Sequence, residues 1–303
     1  MNTSAQRIID EALASGQEWV RLPAGEYREK LYVECERLYL SGQNADSVII
    51  SWDDCANKYY SDGEKYGTFR SYSAFFRAQR LKMSGLTIAN TSGYGENVGQ
   101  AIAAYFDCRE AFITGCRFLG RQDTIFTAPL PQQPVIPNSF KGPNDGLERK
   151  PSLLYFRDCY IEGDVDFIFG GATAIFENCE LRSLHRPAGK ESFVAAPSTD
   201  RTEKYGYIFL GCRFTGDCPP DSTYIARPWR KDGACAVIDC TFGEHISPYG
   251  WDDWNGDEEK RRCARFSQSP AFPGRAEWSR DLTPQEREEH LAFAEQVRSR
   301  FVD

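Results

Sequence analysis

Two aspartates stand where a charged side chain is costly. Asp166 lies in Asp164-Val165-Asp166-Phe167-Ile168-Phe169-Gly170, and Asp123 lies in Gly120-Arg121-Gln122-Asp123-Thr124-Ile125-Phe126. A carboxylate among apolar neighbours loses its hydration, so such a position needs a reason. Each follows a cysteine by seven residues, Cys116 before Asp123 and Cys159 before Asp166. In a fold that stacks equivalent strands, equal offsets place the two carboxyls opposite one another, about 4.8 Å apart. Like charges that close raise one pKa and titrate as a pair. One carboxyl then suits a proton donor and the other a nucleophile or base. The competing reading is a structural pair, satisfied by turn N–H groups or an arginine.

Nearby residue types favour chemistry. Gln122 and Gln100 offer side-chain amides that can stabilise an oxyanion. Arg227, in Ala226-Arg227-Pro228-Trp229, offers a fixed cation for one carboxylate, and Trp229 an apolar face for a sugar ring. Other chemistries lack their parts. The only histidines are His185, His245 and His290, and none sits beside a candidate nucleophile. No Gly-x-Ser-x-Gly elbow, His-x-x-x-His pair or Cys-x-x-Cys spacing occurs, so no metal or organic cofactor is expected. Gly93-Tyr94-Gly95-Glu96-Asn97-Val98-Gly99 meets neither nucleotide fingerprint. A net charge of −8 argues against nucleic acid as a partner. No apolar run approaches the ~20 residues that span a bilayer, so no membrane role is expected.

The elements that must position these groups show as a recurring motif. Cysteine, any residue, an apolar residue, any residue and then a small or turn-forming residue appears at Cys116, Cys159, Cys179 and Cys212, and in shorter form at Cys240. Alternating runs such as Leu153–Asp158 and Tyr207–Leu210 precede it and read as strands. The shortest spacing, Cys159 to Cys179, is 20 residues, one coil of a solenoid. A β-sandwich instead requires hairpin turns between paired alternating runs, and the Asp-Gly pairs here fall in polar loops. The expectation is therefore a single all-β domain over 1–303, a right-handed parallel β-helix with helices at both ends. Residues 1–16 read as an N-terminal cap helix. Thr283-Pro284-Gln285-Glu286 is a capping box opening a C-terminal cap helix over 283–303, with Leu291, Ala294, Val297 and Phe301 as its apolar stripe. The proline-rich stretch from Pro129 to Pro151 has no periodicity, and ordered loops of that length are usually functional. With an odd number of cysteines (11) and no visible leader, reduced thiols in a cytoplasmic monomer are expected, or a secreted protein if a leader has been removed.

These segments, in this order, resemble the pectin methylesterases (pectinesterases, carbohydrate esterase family 8). The resemblance runs through Gly25-Glu26-Tyr27-Arg28-Glu29, then Gly85–Thr91 with Gln100-Ala101-Ile102-Ala103, then Gln122-Asp123-Thr124. It continues through Val165–Gly170, Arg227-Pro228-Trp229 and Ile246–Trp251. It implies that Asp166 attacks the C6 methyl ester of galacturonate in pectin or methylated oligogalacturonides. Asp123 is implied as acid and then base, and Gln122 and Gln100 as oxyanion stabilisers. Arg227 would position Asp166, while Thr91, Gln100, Arg227, Trp229 and Phe167 would contact the sugar. Two departures stand out: Arg121 where the family has Tyr, and Ala226 where it has Gly. The Arg121 change motivates the alternative of an inactive β-helix that binds uronide glycans.

Overall fold

The computed structural model describes residues 4–186, 190–270, 272 and 274–301. Every ladder between its strands is parallel, and the chain winds as a right-handed β-helix with three faces. One face is an eight-stranded sheet in which strands such as Arg117–Leu119, Tyr160–Gly163, Glu180–Ser183 and Arg213–Gly216 lie in chain order. The other two faces are joined by long strands, Leu31–Ser41, Ala74–Ser84 and Ala104–Thr114, that run across both. Beyond them the faces separate. Ile125–Thr127, Val165–Gly170, Ser192–Pro197 and Thr223–Ala226 form one, while Leu153–Arg157, Thr173–Glu177, Tyr207–Leu210 and Ala234–Ile238 form the other.

The repeated motif explains the stacking. Arg117, Tyr160, Glu180, Arg213 and Thr241 are register partners, so the cysteine before each forms an internal ladder. Thiols donate upward to carbonyls, Cys212 Sγ to Phe176 O at 3.2 Å and Cys240 Sγ to Phe209 O at 3.4 Å. All eleven cysteines are free thiols. Before each ladder cysteine stands a residue with positive φ (Gly115, Asp158, Asn178, Gly211, Asp239), the left-handed turn that Gly, Asn and Asp tolerate best. An aromatic ladder runs beside it: Phe156 stacks on Phe176 at 4.8 Å and Phe176 on Phe209 at 4.9 Å. Rings repeated at the rung spacing bury a continuous apolar column that no single coil could hide.

Helix α1 (Ala5–Ala14) starts at Ser4, whose side chain accepts from Arg7 N, and it sets Ala5 and Ile9 on the core at the first coil. Helix α2 (Glu258–Cys263) sits in a late loop. Helix α3 (Pro284–Ser299) has the expected capping box. It does not close the end of the solenoid, however. Ala294, Val297 and Phe301 pack against Tyr155, Ile175, Ile208 and Ile238, so α3 lies along the flank of the face they share. That face carries apolar residues on its outside, and the helix stripe covers them. No described helix is long and apolar enough to cross a membrane.

Between Thr127 and Leu153 the chain forms no strand. Arg77 ties this loop down, donating to Asp107 at 2.7 Å and to Pro143 O at 3.1 Å. Phe140 plugs its tip into the rings of Phe69 and Trp229. The loop becomes a fixed wall.

Candidate active site

The face carrying Val165–Gly170 turns outward into a cleft of about 340 Å³. Its walls bring together Gln100, Gln122, Asp123, Asp166, Arg227 and Trp229, six residues drawn from four separate coils. The register sets the acid pair. Gln122 bridges Val165, and Ile125 pairs with Ile168, which aligns Asp123 with Asp166 on adjacent rungs. Both have positive φ, 68° at Asp123 and 47° at Asp166, a conformation that costs free energy in a non-glycine residue. Asp123 N donates to Val165 O at 3.0 Å and fixes the bend. Gly163 makes room for it. A Cβ there would sit 2.2 Å from Phe167 Cβ and 2.5 Å from Arg121 O.

The two carboxyls differ in their surroundings although both are nearly buried, with 7% and 8% of their surface exposed. Asp166 accepts from Arg227 at both oxygens, Nε to Oδ1 at 2.8 Å and Nη2 to Oδ2 at 2.7 Å. That bidentate fork matches a carboxylate that has lost its proton. The guanidinium is itself clamped, its Cζ 3.7 Å from the Phe193 ring centroid and 4.1 Å from that of Trp254. The Asp123 carboxyl has no hydrogen-bond partner among the described residues. Burial first, and the neighbouring Asp166 charge second, push its pKa well above the carboxylate range, against a smaller pull from Arg227. One acid is charged and braced; the other favours its proton.

The amides stand ready. Gln122 O accepts from Ala101 N at 3.0 Å, which holds the Gln100 segment against the Gln122 turn, and the Asn90 side-chain amide donates to Ile102 O at 3.1 Å from the other side of that segment. Neither glutamine side chain has a hydrogen-bond partner among the described residues, which leaves both amides available to a ligand.

Two expected sugar contacts fall elsewhere. Phe167 is fully buried in the central core and cannot meet a ligand. Relative to the next rung, a bulge between Val165 and Ile168 inserts a residue, so Phe167 and Ile168 both point inward and Phe169 turns out to the cleft. Strict alternation could not reveal that reset. Thr91 is exposed, and its hydroxyl donates to Trp52 O at 3.1 Å; it is not among the cleft-lining residues. Motif reading also missed Phe69, Phe140 and Trp254, which line the apolar side of the cleft with Phe169 and Trp229. Arg121, the departure from the family pattern, lies over Tyr94 at 4.6 Å, donates to His185 O and stands 3.8 Å from the buried Asp164. It is thus engaged beside the acid pair and leaves it open. Among the described residues, no group of three or more His, Cys, Asp or Glu could hold a metal ion.

Comparison with known proteins adds an independent line. A family model described as Pectinesterase matches residues 135–265. Pectinesterase QRT1 of Arabidopsis thaliana is 30% identical over 301 residues, covering 94% of this chain and 71% of that protein. Among solved structures, pectin methylesterase PemA from Erwinia chrysanthemi shares the fold with a TM-score of 0.75 at 24% identity, over 96% of this chain and 93% of that one. A pectin methylesterase solved in complex with a hexasaccharide gives 0.74 at 24% identity, over 96% and 92%. With its fold, its acid pair and this kinship, the chain belongs to the pectinesterase family of esterases.

Proposed function

We propose that this protein removes methyl esters from the C6 carboxyls of galacturonate units in pectin or methylated oligogalacturonides, with Asp166 as nucleophile and Asp123 as acid and base. Asp166 Oδ attacks the ester carbonyl, and the developing oxyanion accepts from the Gln122 and Gln100 amides. As the tetrahedral species collapses, Asp123 gives its proton to the departing methoxy oxygen. Methanol leaves, and an anhydride joins the sugar carboxyl to Asp166. Asp123, now ionised, takes a proton from water, which opens the anhydride and restores both acids. Arg227 keeps the nucleophile in one rotamer, and Trp229, Phe169 and Phe69 offer apolar surface to the sugar faces.

The observation that carries this reading is the asymmetry of the pair: Asp166 forked by Arg227, and Asp123 unpartnered with its pKa raised. A passive binding surface has no use for a strained, proton-holding acid beside a charged one. Incubating the protein with a fully methyl-esterified oligogalacturonide tests it. Methanol should appear, and the oligomer should lose methyl groups with its chain length unchanged. Shortened chains, or binding with no methanol, would overturn the assignment.

A further inference from the structure

On the far side of the loop that walls the cleft lies a second cavity, of about 550 Å³. Tyr32, Tyr60, Tyr66 and Tyr72 line it, and it shares no lining residue with the cleft. The wall between them explains the separation. Phe69 and Phe140, edge to face at 5.5 Å, line the cleft, while the residues that follow them, Arg70 and Lys141, line the cavity. Along the sheet, Tyr32, Phe75, Tyr105, Phe126 and Phe169 are successive register partners. The cavity therefore stands four rungs, roughly 19 Å, from Phe169 on the cleft side.

Its side chains suit a sugar acid. Tyr32 stacks on Phe75 at 4.9 Å and remains 44% exposed, and Tyr60 meets Tyr66 edge-on at 5.0 Å and remains 42% exposed. Packing has not used up these rings, and a tyrosine offers a sugar both an apolar face and a hydroxyl. The hydroxyls of Tyr60 and Tyr72 have no hydrogen-bond partner among the described residues. The cations fall into two kinds. Lys30 is engaged within, its Nζ donating to the buried Asp54 at 2.7 Å and lying 4.4 Å from the Tyr72 ring centroid. Arg70 and Lys141 pair with acids outside the lining, Asp62 at 3.2 Å and Glu64 at 3.6 Å. Both acids are largely exposed, and such pairs are weak enough to yield to a competing carboxylate. Three cations against one acid, Asp145, line this cavity in a chain of net charge −8, a local reversal of sign that favours an anion.

We infer that the cavity is a second glycan site, outside the cleft, for a de-esterified galacturonate segment of pectin. Tyr32 and Tyr60 meet the sugar faces, and Arg70 and Lys141 meet the carboxylates. The choice of ligand rests on the esterase reading above, because the reaction in the cleft makes that segment. A stretch already de-esterified, held here, keeps the enzyme on the polymer while the cleft works on another stretch. The site touches no reacting atom.

Calorimetric titration with trigalacturonate, free of ester groups, tests this on wild type, Tyr60→Ala, Arg70→Gln and Arg230→Gln, the last altering a cation of the cleft alone. Affinity should fall about fivefold in Tyr60→Ala and in Arg70→Gln, and hold in Arg230→Gln. Methanol release from a methylated trimer should be unchanged in the two cavity variants, which also shows them folded. Their KM for long, partly esterified pectin should rise about fivefold at constant kcat. Trigalacturonate affinity that falls in Arg230→Gln and holds in the cavity variants would overturn the second site. Equally tight binding of the fully methyl-esterified trimer to the cavity would overturn its role for carboxylates. No methanol from wild type would instead overturn the esterase reading, and the titration would still decide the cavity.

Discussion

Arg227 grips Asp166 by both carboxylate oxygens at 2.8 and 2.7 Å while its own guanidinium is pressed between Phe193 and Trp254. Strand Thr223–Ala226 delivers it, and Arg227 N, donating to Ala195 O at 3.0 Å, sets its height on the rung. Lysine can keep the charge but neither the fork nor the flat stack. Arg227→Lys should therefore lower kcat by at least about tenfold, and Arg227→Ala should also destabilise the fold by about 3 kcal/mol, because Asp166 would be left buried without its cation. Methanol release together with chemical denaturation separates the two effects.

Asp123 links activity and stability with opposite signs. The folded protein holds its proton more tightly than the unfolded chain does, since its pKa is raised. Its contribution to stability is therefore full below the ordinary carboxylate pKa of ~4 and declines as pH rises towards the folded value. Asp123→Asn removes that loss. The variant should melt above wild type at neutral pH, with the gap closing below about pH 4, while methanol release falls at least ~100-fold. Melting curves across pH, read beside activity, check both halves. A variant less stable than wild type at pH 7 would contradict the raised pKa.

Gln122 and Gln100 offer a cleaner separation of fold from chemistry. Neither amide bonds to the described protein, so truncation to Ala should leave the melting temperature nearly unchanged. If both amides meet the oxyanion, each truncation should lower kcat by roughly 100-fold with little change in KM. Steady-state kinetics on a methylated oligomer decide this, and a rise in KM alone would reassign them to sugar binding.

Much of this was legible in the sequence because a solenoid repeats its rules. The seven-residue offset from Cys116 to Asp123 and from Cys159 to Asp166 translates directly into rung alignment, since a parallel ladder preserves register. What escaped were departures from regularity. A bulge puts Phe167 and Phe169 on opposite faces, where alternation gives them the same one. The apolar stripe of α3 shows that the helix must cover something, but not whether that is an end or a flank. Trp254 reaches the cleft from a loop outside every repeat, so no periodicity could announce it. Non-repeating segments are placed by tertiary packing alone.

The most direct measurement is methanol release by Asp166→Asn, alongside wild type, from a fully methyl-esterified oligogalacturonide. The change is nearly isosteric, and denaturation curves establish whether the variant is folded. A folded variant should lose activity by roughly 10⁴-fold, the scale of removing a nucleophile, at every pH tested. Wild-type rates of methanol release from the folded Asp166→Asn protein would contradict the account at its centre.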